Sequence, residues 1–401
     1  MNDFTRVRAG VLTCVLIGAL TCAASAAAGP LIALDSEQKA ASAIVAADRI
    51  QHEAPGHLNV LTTPAFTYPE PALHALAAAT TPAELAGMPG GMTLPCRTSG
   101  SFTARSTVAA PRVIDLEFHE CVTFRFDPNI PSGPIRVWLL GNSFVAEAVG
   151  GLRLGTRDRD FIVTQVSLSP DQNSYATWKY NYVMQGYVAW ASAVTSNLVP
   201  ALSLFEVNGF MFEDFLAETP GREPYHTTQR LSAEHLLTST SIAFGNDFLL
   251  QDEQTTYLLG AFMQEQTTPF GNSSVREDFA GLRVRRLTDY ESWSGSVELD
   301  GGIRYQWSQL AGAGCLSGGY LFNTKKPLHQ SNLDMEAYDS GELVINRDVT
   351  LSLYSADNAP AGLPVPANGM LLHVDVKHVG SFDYDTSSLG PALQSAAGCP
   401  N

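Results

Sequence analysis

Beyond residue 92 the chain alternates between apolar and polar residues with a period of two. Gly, Asn, Asp, Pro and Ser residues, which favour turns, separate the alternating segments. A strand with one buried face and one solvated face requires this period. The pattern therefore predicts a mainly β protein built from large antiparallel sheets, arranged as a sandwich or a curved half-barrel. The segments span residues 113–126, 135–145, 160–169, 176–190, 294–310, 341–355 and 370–384.

Stretches with helical periodicity are rare in this part of the chain. The two candidates, residues 198–206 and 231–237, are both short. Residues 29–92 differ, because they are rich in Ala and Pro. This segment is predicted to be helical or irregular, with helices at about 36–51 and 72–88 that cover part of the sheet. Within it, Thr81-Pro82 is typical of a helix start, since Thr caps helices and Pro is tolerated in the first turn.

The first 28 residues have the pattern of a signal peptide. Arg6 and Arg8 precede a short apolar core, and small residues follow it at the cleavage positions. We expect cleavage after Ala26 or Ala28. The mature protein would then be periplasmic, associated with the outer envelope, or secreted, without a transmembrane helix.

The chain repeats part of its own pattern. A displacement of 219 residues brings Cys96 onto Cys315 and residues 114–121 onto 333–340. Such an echo indicates a duplicated β unit. The resulting prediction is a first β unit and a second one, either separate or continuous with it, over residues 93–215 and 216–401.

The net charge of the chain restricts the kinds of partner that it can bind. The formal net charge is −16 at pH 7, and the arginines are interleaved with acidic residues. Nucleic acid and anionic lipid surfaces require a field of Lys and Arg, so neither is expected as a partner.

Four cysteines remain after removal of the leader, which carries Cys14 and Cys22. An even number in an oxidising compartment predicts two disulfides, for which three connectivities exist. The internal echo favours one of them, because the counterpart of Cys121 is Ser340. The predicted pairs are Cys96–Cys121 and Cys315–Cys399.

Metal and cofactor sites are not expected from the sequence. The stretch QHEAPGHLNV (51–60) resembles the zinc helix of metalloproteases only superficially, because His52 and His57 are five residues apart instead of four. Pro55 lies between them and favours the end of a helix. His373, Asp375 and Lys377 alternate along one strand, and a solvated strand face explains them.

Two further sets of side chains are candidates for a catalytic or binding site. Glu213 and Asp214 are neighbours on a predicted strand and point to opposite faces, which is poor geometry for paired catalytic carboxylates. Trp178, Tyr180 and Tyr182 share one face, as an aromatic platform for a sugar ligand would require. A sheet core requires the same residues, and this interpretation is favoured over a ligand face.

Several segments resemble the strand repeats of uncharacterised exported β proteins of Gram-negative envelopes. They are CRTSGSFT (96–103), IDLEFHEC (114–121), WSGSVELDGGIRY (293–305), GCLSGGYLF (314–322) and DSGELVI (339–345). In several such proteins a final strand pair encloses an acidic loop, matched here by VDVKHVGSFD (374–383). Lys377 and Val379 replace two of its carboxylates, so calcium binding is not expected.

Three functions are compatible with this sequence. The first, which we favour at this point, is a non-enzymatic exported β protein of the bacterial cell envelope, with a structural, adhesive or partner-binding role. Its partner would be an unknown envelope protein, glycan or lipid. The second is a carbohydrate-active or other hydrolase that uses strand-borne carboxylates such as Asp115, Glu117 or Glu298. The third is a carrier that holds a lipid or small ligand in an apolar β cavity.

Overall fold

A computed structural model confirms that the chain is mainly β. Strands account for 66% of the structure, the sheets are antiparallel, and three short helices accompany them. The structure describes residues 30–51, 70–108, 110–125, 135–148, 151–155, 161–168, 177–194, 200–218, 221, 223–244, 249–269, 271–309, 317–333, 338–366, 369–385 and 396–397.

Three helices of the described chain lie before the first strand. Helix α1 covers residues 37–51 of the described chain, α2 spans Glu70–Ala79 and α3 spans Pro82–Ala86. The predicted helix start at Thr81 is confirmed. Its side chain accepts a hydrogen bond from the backbone N–H of Glu84, and the Glu84 carboxylate accepts one from the Thr81 N–H, which forms a capping box.

Seventeen strands follow. They are β1 Met92–Pro95, β2 Ser99–Thr107, β3 Ala110–Arg125, β4 Ile135–Ala148, β5 Gly151–Gly155, β6 Phe161–Leu168, β7 Thr177–Val194, β8 Pro200–Glu218, β9 Tyr225–Phe244, β10 Leu249–Thr268, β11 Gly271–Asp289, β12 Ser294–Gln309, β13 Gly318–Gln330, β14 Ser340–Ile345, β15 Val349–Ser355, β16 Met370–Val376 and β17 Gly380–Asp385.

The described parts of five predicted alternating segments lie in single strands, and the other two, 341–355 and 370–384, each contain two strands joined by a turn. Both helix candidates were wrong. The described part of 198–206 belongs to β8, and 231–237 belongs to β9. In β9, Leu231, Ala233 and Leu236 are all buried. The step between buried residues therefore changes from two to three within one strand, and this spacing imitates a helical pattern.

The chain forms two compact units. The terminal unit comprises residues 1–55, 238–260 and 276–401, and the central unit comprises 56–237 and 261–275. The predicted units 93–215 and 216–401 concern sequence duplication, and they stay a prediction.

In the central unit, each strand from β1 to β4 pairs with the next one along the chain. Strand β4 then pairs with both β5 and β6, and each of these pairs with β7. Strands β7 and β8 pair along almost their whole length. Helices α2 and α3 belong to this unit, and Leu85 of α3 is fully buried.

A disulfide joins the end of β1 to β3. Cys96 and Cys121 are 25 residues apart in sequence, and their Cα atoms are 5.5 Å apart, so the first predicted pair is confirmed. A bulge follows Phe118 in the β3–β4 register, and Glu120 has a φ of 48°. Because the bulge adds a residue, Phe118 and Cys121 are both buried although they are three apart. Cys315 and Cys399 lie outside the described residues.

In the terminal unit, β12 to β17 form an antiparallel meander. Helix α1 packs against this unit, as expected from its alanine-rich sequence. Arg49 lies over the Trp307 ring at 4.3 Å from its centroid, and the Gln51 side chain accepts a hydrogen bond from the Tyr338 hydroxyl at 3.2 Å. Burial is the main reason that the pKa of Tyr338 rises to about 12.

Asn346 attaches the segment before α1 to the same sheet. Its amide nitrogen donates to the carbonyls of Ile32 at 3.0 Å and Gly319 at 3.1 Å. Its side-chain oxygen accepts from the Leu321 N–H at 2.7 Å. Asn346 is only 5% exposed and has a φ of 53°, a left-handed conformation that Asn tolerates better than most residues.

Candidate functional site

One face of β7 carries the aromatic residues that the sequence singled out. Tyr180, Tyr182, Met184 and Val188 are all buried, and Tyr182 has no exposed surface. Trp178 lies in the same strand, but its side chain is outside the described part. Tyr182 is therefore a packing residue, whereas Tyr180 borders a polar group.

That polar group is Glu213 of β8. Tyr182 lies opposite Glu213 in the antiparallel register, and Tyr180 lies opposite Phe215, so these side chains share one face. Burial raises the pKa of Glu213, and this effect outweighs a hydrogen bond from the Tyr180 hydroxyl that lowers it. Asp214, as predicted from strand geometry, points to the opposite face, where it contacts His226 at 2.7 Å.

Strand β9 extends the same face. The rings of Phe215 and Tyr225 meet edge to face with centroids 6.0 Å apart. Since residues two apart on a strand point the same way, Glu213 on β8 and Thr227 on β9 come next to this ring pair. Gln229 follows Thr227 on that face. The Tyr225 hydroxyl accepts a hydrogen bond from Gln266 at 2.7 Å.

Two polar atoms on this face are buried without a hydrogen-bond partner among the described residues. They are Oγ1 of Thr227 and Oε1 of Gln229. Thr227 is 8% exposed, while Glu213, Phe215, Tyr225 and Gln229 are partly exposed. Buried polar groups normally have partners, so these two atoms need an explanation. We call Tyr180, Glu213, Phe215, Tyr225, Thr227 and Gln229 the Tyr–Glu cluster.

The sequence contains a pattern that indicates the β9 part of this cluster. Tyr225, Thr227, Gln229, Leu231 and Ala233 occupy alternate positions, which is the period of a strand face. Because Thr and Gln are polar, the segment does not alternate between apolar and polar residues. Only the pairing of β9 with β8 shows that its polar positions face the aromatic side.

A second group of polar residues lies on the terminal unit. We call it the Arg ladder, and it alternates acidic and basic side chains across β10, β11 and β12. Its members are Glu253, Arg285, Glu298, Arg283 and Asp300, joined in that order by contacts of 2.7, 2.8, 3.3 and 2.6 Å. A hydrogen bond from Arg285 lowers the pKa of Glu253. The adjacent Leu282 and Val284 are buried on the other face.

The carboxylates proposed for a hydrolase are held largely in ion pairs. Glu298 accepts from two arginines of the Arg ladder. Glu117 accepts from Arg105 at 2.7 Å across the β2–β3 pair. Asp115 lies opposite Arg105 in the same register. An arginine partner occupies the lone pairs of the carboxylate, which suits a structural role better than catalysis.

His373 lies between two carboxylates. Its Nδ1 is 2.7 Å from Asp383 and its Nε2 is 3.4 Å from Asp375, and Ser381 donates a hydrogen bond to Asp375. Lys377 is not part of this group, because it lies in the turn after β16. Within the described chain, no group of three or more His, Cys, Asp or Glu side chains has the geometry of a metal site.

No protein-family model matches the chain, and no curated protein or solved structure matches it either. The resemblance to exported envelope β proteins therefore stays a prediction. Among the described helices, none combines the length and the apolar character that crossing a bilayer would require.

Proposed function

We propose that this chain is a non-enzymatic exported protein of the bacterial cell envelope that binds a small ligand at the Tyr–Glu cluster. The proposal selects the third of the functions compatible with the sequence, binding of a small ligand, and places it at a polar site instead of an apolar cavity. The observation that carries it is the buried face on which Thr227 and Gln229 each leave an oxygen atom without a partner beside Glu213.

A binding site explains these features together. A partly buried carboxyl with a raised pKa, set among aromatic rings, is a common signature of functional sites. A bound ligand would supply partners for the two oxygen atoms, which otherwise carry a desolvation cost of about 1–3 kcal/mol each. Glu213, Phe215 and Tyr225 are partly exposed, so a ligand would first contact the face at these residues.

Export is supported by two independent features. The N-terminal segment has the charge and hydropathy pattern of a signal peptide. The Cys96–Cys121 disulfide is typical of proteins that fold in an oxidising compartment.

Thermal unfolding with a library of polar metabolites tests the proposal. A ligand at 100 times its Kd stabilises the folded state by roughly 2.7 kcal/mol, which is readily visible in Tm. We expect such compounds to raise the Tm of the wild type but not that of a variant with both Glu213→Gln and Thr227→Val. If no compound raises the Tm, or if the double variant responds equally, the proposed function is wrong.

A turnover assay tests the hydrolase alternative. Turnover of chromogenic glycosides or esters by the wild type, lost on Glu117→Gln or Glu298→Gln, would replace the proposed function with an enzymatic one.

A further inference from the structure

Building on the proposed function, we propose that the Tyr–Glu cluster binds a small organic cation. In this ligand, a primary ammonium or guanidinium group would lie next to an aromatic or apolar group. The ligand class follows from the chemistry of the atoms that line the face.

The first argument concerns hydrogen bonding. On this face, the two buried atoms that lack a partner among the described residues, Thr227 Oγ1 and Gln229 Oε1, are both oxygens. Glu213 adds a carboxyl group, of which the only described hydrogen bond comes from Tyr180. An amide oxygen and a carboxylate are acceptors, and a hydroxyl can accept. A ligand that satisfies all three must donate several hydrogen bonds, as an ammonium or guanidinium group does.

The second argument concerns charge. Glu213 forms no ion pair with a described residue, whereas its neighbour Asp214 pairs with His226 on the opposite face. Arg230, a nearby cation, lies over the Phe212 ring at 5.3 Å, and Phe212 also precedes Glu213 on that opposite face. A cationic ligand would provide the opposite charge that no described residue places beside Glu213. The net charge of −16 also attracts cations to the molecule as a whole.

The third argument concerns the aromatic rings. Phe215 and Tyr225 are partly exposed and meet edge to face. A cation near the face of such a ring gains electrostatic attraction, and an apolar group attached to the cation can pack against the rings. A neutral sugar would use the rings and the oxygens, but it would leave the charge of Glu213 without a partner.

Calorimetric titration of the purified full chain tests this assignment with matched probes. Phenethylammonium and agmatine are the cationic probes, 2-phenylethanol is the neutral counterpart of the first, and glucose represents a neutral sugar. We expect measurable binding of at least one amine, and binding of the alcohol and of glucose at least ten-fold weaker.

Three variants locate the site. Glu213→Gln keeps the shape and removes the charge, and should weaken amine binding by about ten-fold or more, as expected for a charge-assisted hydrogen bond. Thr227→Val keeps the volume and removes the hydroxyl, and should weaken binding several-fold. Asp214→Asn is the control, since it removes the same charge one residue away on the opposite face, and should change the Kd by less than two-fold.

Three outcomes would overturn the inference. If glucose or the alcohol binds as tightly as the amines, the ligand is neutral, and the proposed function survives. If neither amine binds while the metabolite library yields other ligands, the class is again wrong. If Asp214→Asn weakens amine binding as much as Glu213→Gln does, the amines respond to overall charge and not to this site.

Discussion

Replacing Asn346 by Asp should release the N-terminal segment of the terminal unit, residues 30–51, from the sheet of that unit. The substitution keeps the side-chain oxygen that accepts from Leu321 and removes the two hydrogen bonds donated to Ile32 and Gly319. Each hydrogen bond contributes about 1 kcal/mol. A carboxylate at a position that is only 5% exposed also faces two carbonyl oxygens, which adds roughly 1–3 kcal/mol.

The expected loss in the free energy of unfolding is therefore about 3–5 kcal/mol at pH 7. Burial should raise the pKa of the introduced carboxyl above its unfolded value of about 3.9. The folded variant then binds more protons than the unfolded chain between these two pKa values. Its stability relative to wild type should increase as the pH falls through the folded pKa, and reach its full recovery below about 3.9.

Urea unfolding at several pH values measures this loss, and limited proteolysis within α1 reports the release of the segment. Asn358→Asp is a matched control. Asn358 is exposed, and its amide also bridges two backbone groups, at Ser355 and Asp339, so the loss there should stay below about 1 kcal/mol. A loss at Asn346 no larger than at Asn358 would show that the buried amide does not hold the N-terminal segment.

Four further outcomes are expected. Removing the disulfide with Cys96→Ala and Cys121→Ala should cost about 3 kcal/mol in urea unfolding, because the bond closes a loop over a separation of 25 residues; an unchanged midpoint would contradict this. Glu298→Gln should cost about 1 kcal/mol at low salt, since the Arg ladder is partly exposed, and the loss should shrink in 1 M NaCl. Non-reducing peptide mapping should link Cys315 to Cys399, and a link from Cys96 to Cys315 would refute both pairs. Mass spectrometry of the exported protein should find its N-terminus near Ala27 or Gly29.

The period-two pattern was sufficient to predict the class of fold and seven strand segments. It did not reveal β9, β10 or β11, because polar residues occupy both faces of these long strands. Thr227 and Gln229 on one face of β9, and His226 on the other, leave no contrast for the pattern to detect. Bulges removed more of the signal, as at Glu120, where an inserted residue changes which positions are buried.

The candidate site was predictable only in pieces. Tyr180 and Tyr182 were placed correctly on one face, and Glu213 and Asp214 on opposite faces. What the sequence could not provide is the register between strands, which brings Glu213 to the tyrosines and Phe215 to Tyr225. Similarly, the pairing of Glu298 with two arginines depends on the register between β11 and β12, so the sequence alone could not show that this carboxylate is paired.

The contacts of the N-terminal segment constrain the order in which the protein can be completed. Asn346 and Ile32 are 314 residues apart in the chain, and the Tyr384–Glu37 hydrogen bond spans 347 residues. If the protein is exported as proposed, the polypeptide emerges from the translocon with its N-terminus first and presents α1 long before β14 and β17 have crossed the membrane. The alanine-rich surface of α1 then stays exposed, or bound by a chaperone, until nearly the whole chain has been translocated. The disulfide between Cys96 and Cys121, by contrast, can close early. Under that proposal, secretion should depend on periplasmic chaperones that bind the chain until α1 can pack against the last strands. It should depend much less on the enzymes that form the Cys96–Cys121 disulfide.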